Sequence, residues 1–125
     1  MSQWICLLTC MDGRIQRPVL EFLLERHPGA FIDTITEPGM DGLLATHRLE
    51  EIPGLLRKLE ISFEVHGARA VYVAGHTDCA GNPVDDAVHL AHIRRGIHLL
   101  TEHFPGIPVR GLWVGPTWKV ASVEA

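Results

Sequence analysis

An α/β fold, a mostly parallel β-sheet flanked by helices in three layers, follows from three features of the sequence. Short apolar runs such as Trp4-Ile5-Cys6-Leu7-Leu8-Thr9 and Ala70-Val71-Tyr72-Val73-Ala74 lack polar alternation, as strands covered on both faces do. They alternate with stretches of helical period in the order β-α-β-α-β-α-β-(β), which is the pattern of a parallel-centred sheet with right-handed crossovers. The 12 glycines and 8 prolines fall between these segments and mark the turns. The closing β-(β) pair predicts an antiparallel strand at one edge.

The elements follow in order. Trp4 to Thr9 is the first strand. Pro18 to Arg26 reads as a helix: Pro18 suits a first turn, Val19, Phe22 and Leu23 share a face, and His27-Pro28-Gly29 ends it. Ala30 to Thr36 is a second strand, broken by Glu37-Pro38-Gly39. Pro53 to His66 is a helix in which Leu55, Leu56, Leu59 and Phe63 recur with helical spacing and Gly67 is the cap. After the strand 70–74 comes a loop from Gly75 to Asn82. Asn82-Pro83, with Asp85 and Asp86 in the first turn, starts a helix that runs to about His103. Pro108 to Val114 is a strand, and Thr117 to Val123 holds a last short one.

Composition bounds the function. The 125 residues, 46% apolar and 21% charged, suit one domain spanning 1–125 with its own core. Eleven basic against fifteen acidic side chains give a net charge of −4, which speaks against nucleic acid as a partner. No apolar run reaches the roughly 20 residues that cross a bilayer, so no membrane partner is expected. Met1-Ser2-Gln3-Trp4 lacks a basic leader and the three cysteines are an odd number, which makes the cytoplasm the expected compartment. The sequence holds no G-x-x-x-x-G-K-[ST], no G-x-G-x-x-G, no Cys-x-x-Cys and no Cys-x₅-Arg, so nucleotide, redox and cysteine-phosphatase chemistry lack their motifs.

Two polar clusters follow two of the apolar strands, at the strand ends where open α/β sheets bind ligands. They are Cys10-Met11-Asp12-Gly13-Arg14 and Gly75-His76-Thr77-Asp78-Cys79. His-x-x-Cys alone is weak, and a buried thiol ending a strand is common. Together, Cys10, His76 and Cys79 are three zinc-type ligands at converging strand ends. Three ligands with an open fourth position make a catalytic zinc site, and four closed ones a structural site. Cys6 lies about 13 Å down the strand at ~3.3 Å per residue and reads as core. Asp12 and Arg14 are either a solvated surface pair or a carboxylate held ionised and oriented by its arginine, able to accept a hydrogen bond from zinc-bound hydroxide.

Cys-x-Asp-x-Arg after the first strand and His-x-x-Cys after the third resemble the β-class carbonic anhydrases, in element order over most of the chain. The likeness is nearest to a short branch of that class, to which Ile35-Thr36-Glu37-Pro38-Gly39 and Asp78-Cys79-Ala80-Gly81-Asn82-Pro83-Val84 conform. The resemblance implies Zn²⁺ on Cys10, His76 and Cys79, Asp12 and Arg14 as the catalytic pair, and reversible hydration of carbon dioxide by zinc-bound hydroxide. It also implies a homodimer or larger homo-oligomer and a small uncharged substrate. In some members the matching Asp swings onto zinc, which makes Asp12 a candidate fourth ligand in a closed state. Gly13 stands where the family usually has Ser, Ala80 where it has Gly, and Thr36 to Met40 keeps only the Gly of its Arg-Asn-Ala-Gly-Asn segment. These changes spare the ligands and alter the pocket wall. Two alternatives remain, a hydrolase of carbonyl sulfide or carbon disulfide and a non-catalytic zinc-stabilised oligomer or sensor.

The remaining residues carry weaker expectations. His47 is a candidate proton carrier. His89 and His92, spaced i, i+3, could bind a metal but read better as solvated helix residues. His27, His66 and His103 fall near helix C-termini, where the dipole suits them. Met11, Ile15, Met40 and Leu43 are candidates for a small apolar pocket. Trp113 and Trp118, flanking Gly115-Pro116, read as core or edge packing.

Overall fold

In the computed structural model, which describes residues 3–125, five strands form one sheet in the order β2-β1-β3-β4-β5. These are β1 (Trp4–Thr9), β2 (Phe31–Thr36), β3 (Val71–His76), β4 (Val109–Val114) and β5 (Val120–Val123). The first four are mutually parallel, and β5 pairs antiparallel with β4 at the edge, as the sequence predicts. Met1 and Ser2, on which the expectation of no leader partly rests, lie outside the described residues. Among the described residues no helix is long and apolar enough to cross a membrane.

Strand alternation divides the core in two. Cys6, Leu8, Val71 and Val73 face α2 (Met40–Thr46), α3 (Pro53–Glu60) and α4 (Asp86–His103) through Met40, Leu44, Leu55, Leu59, Ile93 and Ile97. Ile5, Leu7, Tyr72 and Ala74 face α1 (Gly13–Arg26) through Ile15, Val19 and Leu23. The sheet is thus sandwiched, as its unbroken apolar strands require.

Several boundaries differ from expectation. The first helix begins at Gly13, not Pro18, because the Asp12 carboxylate caps it by accepting the Arg14 N–H at 2.8 Å. Pro18 lies inside that helix. The stretch after Gly39 is helix α2, which the sequence pattern did not reveal. It is too short to be stable alone, and it is held by packing on α4, where Gly96 lets Leu44 approach. The 53–66 helix closes with a π turn over Ile61–Val65, which sets Ser62 and His66 against the Asp33 carboxylate at 2.7 and 2.8 Å.

His89 and His92 are not a pair of exposed helix residues: His89 is buried and His92 half-buried, and both rings face Asn82. His89 is 0% exposed and its Nδ1 donates to Asp41 Oδ2 at 2.6 Å, while Asp41 is itself 2% exposed. Asn82 Nδ2 donates to Asp41 Oδ1 at 3.1 Å and to His92 Nδ1 at 2.9 Å. Helical spacing shows that the two histidines share a face, but not that the face is turned to a buried carboxylate on another helix. Gly75 makes room for this group, since a Cβ there would stand 2.9 Å from Asp41 Oδ2.

Candidate metal centre

β1 and β3 are neighbours, with Leu8 level with Val73, so their carboxyl ends deliver Cys10 and His76 to one place. The turn after β3 returns Cys79 to the same spot. The three ligand atoms lie within 4.8 Å of one another, and Cys10, His76 and Cys79 are 5%, 1% and 4% exposed. The sulfurs of Cys10 and Cys79 are 3.8 Å apart. Two sulfurs each about 2.3 Å from one tetrahedral ion would stand ~3.8 Å apart, so the spacing fits zinc.

The chemistry of the donors fits as well. His76 Nδ1 donates to the Thr77 carbonyl at 2.7 Å, which leaves Nε2 the unprotonated nitrogen. That Nε2 is buried and has no hydrogen-bond partner among the described residues. An orphaned buried acceptor beside two thiols is costly unless a cation takes its lone pair. The Asp12 and Gly39 amides donate to Cys10 Sγ at 3.5 and 3.4 Å. Burial pushes the Cys79 thiol up, and the nearby Cys10 adds to this, against the pull of the Gly81 and Asn82 amides. A divalent cation would offset that penalty. Cys6 lies on the opposite side of the sheet, outside this group, with burial pushing its thiol up to about 12. Strand alternation would put Cys6 and Cys10 on one face. The chain turns after Thr9, and Cys10 joins the α1 side instead.

Asp12 and Arg14 form a tight pair. Asp12 Oδ1 accepts the Arg14 amide at 2.8 Å and Nε at 3.1 Å, and Oδ2 accepts Nη2 at 2.8 Å. Asp12 is turned onto Arg14 and is not one of the three clustered ligands. The guanidinium hydrogen bonds, then the Arg14 amide, lower the Asp12 carboxyl from its usual range to about 2. Because the folded value is depressed, the interaction is fully present above the unfolded value near 4 and is lost as pH falls through about 2. A carbon-detected NMR titration of the Asp12 carboxyl is therefore expected to find its midpoint well below that of a free aspartate. An ordinary midpoint would show that Arg14 is not attached in solution.

Two partners of Arg14 escaped the sequence reading. Its Nη1 donates to Asp78 Oδ2 at 3.1 Å and its Nη2 to the Asp78 carbonyl at 3.0 Å. The guanidinium also lies 4.8 Å over the Trp118 ring. Asp78 stood inside a recognised motif, but nothing local ties it to a residue 64 positions away. Trp118 carried no signal beyond its size.

Other candidates lie elsewhere. His47 caps the far end of α2, seven residues or roughly 10 Å of helix from the Gly39 amide at the centre. Met11 is exposed, while Ile15 and Met40 are buried on opposite sides of the sheet, so the four apolar residues suggested for a pocket do not converge.

Known proteins share this fold. The β-carbonic anhydrase CafA of the fungal pathogen Aspergillus fumigatus superposes with a TM-score of 0.56 at 16% identity, over 96% of this chain and 74% of that one. One of two tetrameric β-carbonic anhydrases from the filamentous ascomycete Sordaria macrospora gives 0.56 at 15% identity, over 97% and 80%. At such identities the likeness shows the β-carbonic anhydrase fold. No curated protein matches the sequence. The family model described as "Putative carbonic anhydrase" matches residues 1–124, nearly the whole length, and the chain therefore belongs to that carbonic anhydrase family.

Proposed function

We propose that the chain is a zinc-dependent carbonic anhydrase, a lyase that reversibly hydrates carbon dioxide to bicarbonate. Cys10, His76 and Cys79 hold the metal, and Asp12 and Arg14 are the catalytic pair. The observation that carries this is the buried Cys-His-Cys triangle, with its orphaned His76 Nε2, beside a carboxylate clamped by arginine. Zinc held there would supply the Lewis acidity that makes water nucleophilic near neutral pH.

The chain's own groups do the rest. Asp12 stays ionised at any working pH and accepts a hydrogen bond from the attacking water, which fixes the lone pair presented to the substrate carbon. Arg14 donates to both oxygens, the amide and Nε to Oδ1 and Nη2 with a longer Nε contact at 3.3 Å to Oδ2, so the whole carboxylate is held in one orientation. Arg14 spends Nε, Nη1 and Nη2 on Asp12 and Asp78, so it orients the carboxylate and leaves little positive charge for an anion. That balance suits a small uncharged substrate.

Residues 1–125 are read as one domain. The tetrameric Sordaria neighbour supports a homodimer or larger homo-oligomer, and three free thiols suit the cytoplasm. Stopped-flow hydration of carbon dioxide by zinc-replete protein at about pH 8.5 tests the activity. Two thiolates donate more charge to the metal than imidazoles do, so turnover is expected to rise from pH 6 to 9. A flat profile would contradict the role given to the sulfurs, and no hydration at full zinc loading would overturn the activity. Assaying carbonyl sulfide alongside separates the sulfur-bearing substrates.

A further inference from the structure

Among the described residues only two other than glycine have positive φ, Asp78 at +54° and Trp118 at +59°. Both touch Arg14. For a bulky aromatic residue this backbone region is a genuine outlier, and such strain persists only where surrounding contacts over-determine it. Trp118 sits in the link between β4 and β5, where its N–H closes a turn onto the Gly115 carbonyl at 2.9 Å. Glycine or asparagine would meet that turn's demand without strain. What tryptophan adds is its ring. The indole packs against the core on the α1 side, which includes Cys10 and Cys79, and its centroid is 6.0 Å from that of the His76 imidazole. The ring face is covered by the Arg14 guanidinium at 4.8 Å.

We propose that Trp118 is a positioning residue for the Asp12–Arg14 pair: its indole backs the flat face of the guanidinium and, with Asp78, holds Arg14 in the rotamer that clamps Asp12 beside the metal centre. The hydrogen bonds to Asp12 and Asp78 fix the guanidinium within its plane. They leave its tilt about that plane free, and stacking on an aromatic face supplies the missing restraint. The Arg14 side chain is 48% exposed, so without the ring water would reach the face that Trp118 covers. The catalytic consequence rests on the carbonic anhydrase reading, but the restraint itself does not.

The test uses zinc-loaded full-length protein with Trp118→Gly, which relieves the backbone and removes the ring, and Trp118→Phe, which keeps an aromatic face. In Trp118→Gly the Arg14 Nε–H is expected to exchange with solvent about fivefold faster by NMR, with zinc stoichiometry unchanged, and in Trp118→Phe to stay near wild type. Carbon dioxide hydration is expected to fall about tenfold in Trp118→Gly through kcat rather than KM, and to be largely restored by Phe. If Trp118→Gly does not fold, Trp118→Asn, which also tolerates the left-handed turn, carries the same expectation. Unchanged Arg14 Nε–H exchange in the ring-less variant overturns the proposal. If the wild type hydrates no carbon dioxide, the catalytic reading fails, while the exchange measurement still decides whether Trp118 holds Arg14.

Discussion

Asp12→Asn is expected to keep its zinc and to lose carbon dioxide hydration by on the order of 10²–10³-fold. The substitution is clean for a structural reason. Asp12 caps α1, and asparagine is an equally good cap, so the helix start and the Cys10–Arg14 turn should survive. What disappears is the charge and one acceptor oxygen, because the asparagine NH₂ cannot accept a hydrogen bond. Arg14 donates to both carboxylate oxygens, so the single oxygen left in asparagine is drawn to Arg14 and no longer serves the attacking water. Metal analysis and stopped-flow kinetics on the same preparation decide the matter. Loss of zinc on substitution would instead mark Asp12 as a ligand that closes the site, in keeping with a non-catalytic zinc protein. Full activity would remove Asp12 from the reaction.

Asp41→Ala is expected to destabilise the fold by about 3–5 kcal/mol, a large share of the roughly 5–15 kcal/mol that holds a domain together. The carboxylate accepts from both His89 and Asn82 in a buried site. Without it, His89 is left with neither ring nitrogen well partnered, since its Nε2 already has no partner among the described residues. The cost arises from stranding these polar groups away from water, more than from the lost attraction. Asn82 also closes the turn on which Cys79 sits, its N–H donating to the Cys79 carbonyl at 3.3 Å, so zinc retention should weaken with stability. Urea unfolding is expected to show a lower midpoint at unchanged slope. Asp41→Asn, which keeps one acceptor, should fall between alanine and wild type. A midpoint equal to wild type for alanine would show that the buried pair contributes nothing.

The contrast between these two aspartates shows how far sequence reasoning reaches. Asp12 is legible because its meaning is local: it lies two residues from Cys10 and from Arg14, and one turn carries all three. Asp41 is illegible because its partners, Asn82 and His89, are 41 and 48 positions away. Nothing near Asp41 distinguishes it from a surface residue, and helix α2, which carries it, is short and bounded by a glycine at φ +60°. Its helicity is a product of packing on α4 and cannot be found in seven residues of propensity. Similarly, Pro18 is a sound local signal for a helix start, outweighed by an aspartate cap six residues earlier.

By itself the sequence determined the layered α/β architecture, the strand order along the chain, and the meeting of Cys10, His76 and Cys79. Unbroken apolar strands must be covered on both faces, and parallel neighbours must present their carboxyl ends together. Only the tertiary structure decided which way Arg14 turns, that Asp78 and Trp118 hold it, and that Asp41, Asn82 and His89 close a buried polar group behind the centre. The physical reason is the same in each case. Periodicity and turn chemistry act over a few neighbouring residues, whereas a side chain's partner across the fold is chosen by packing, which has no local trace in the chain.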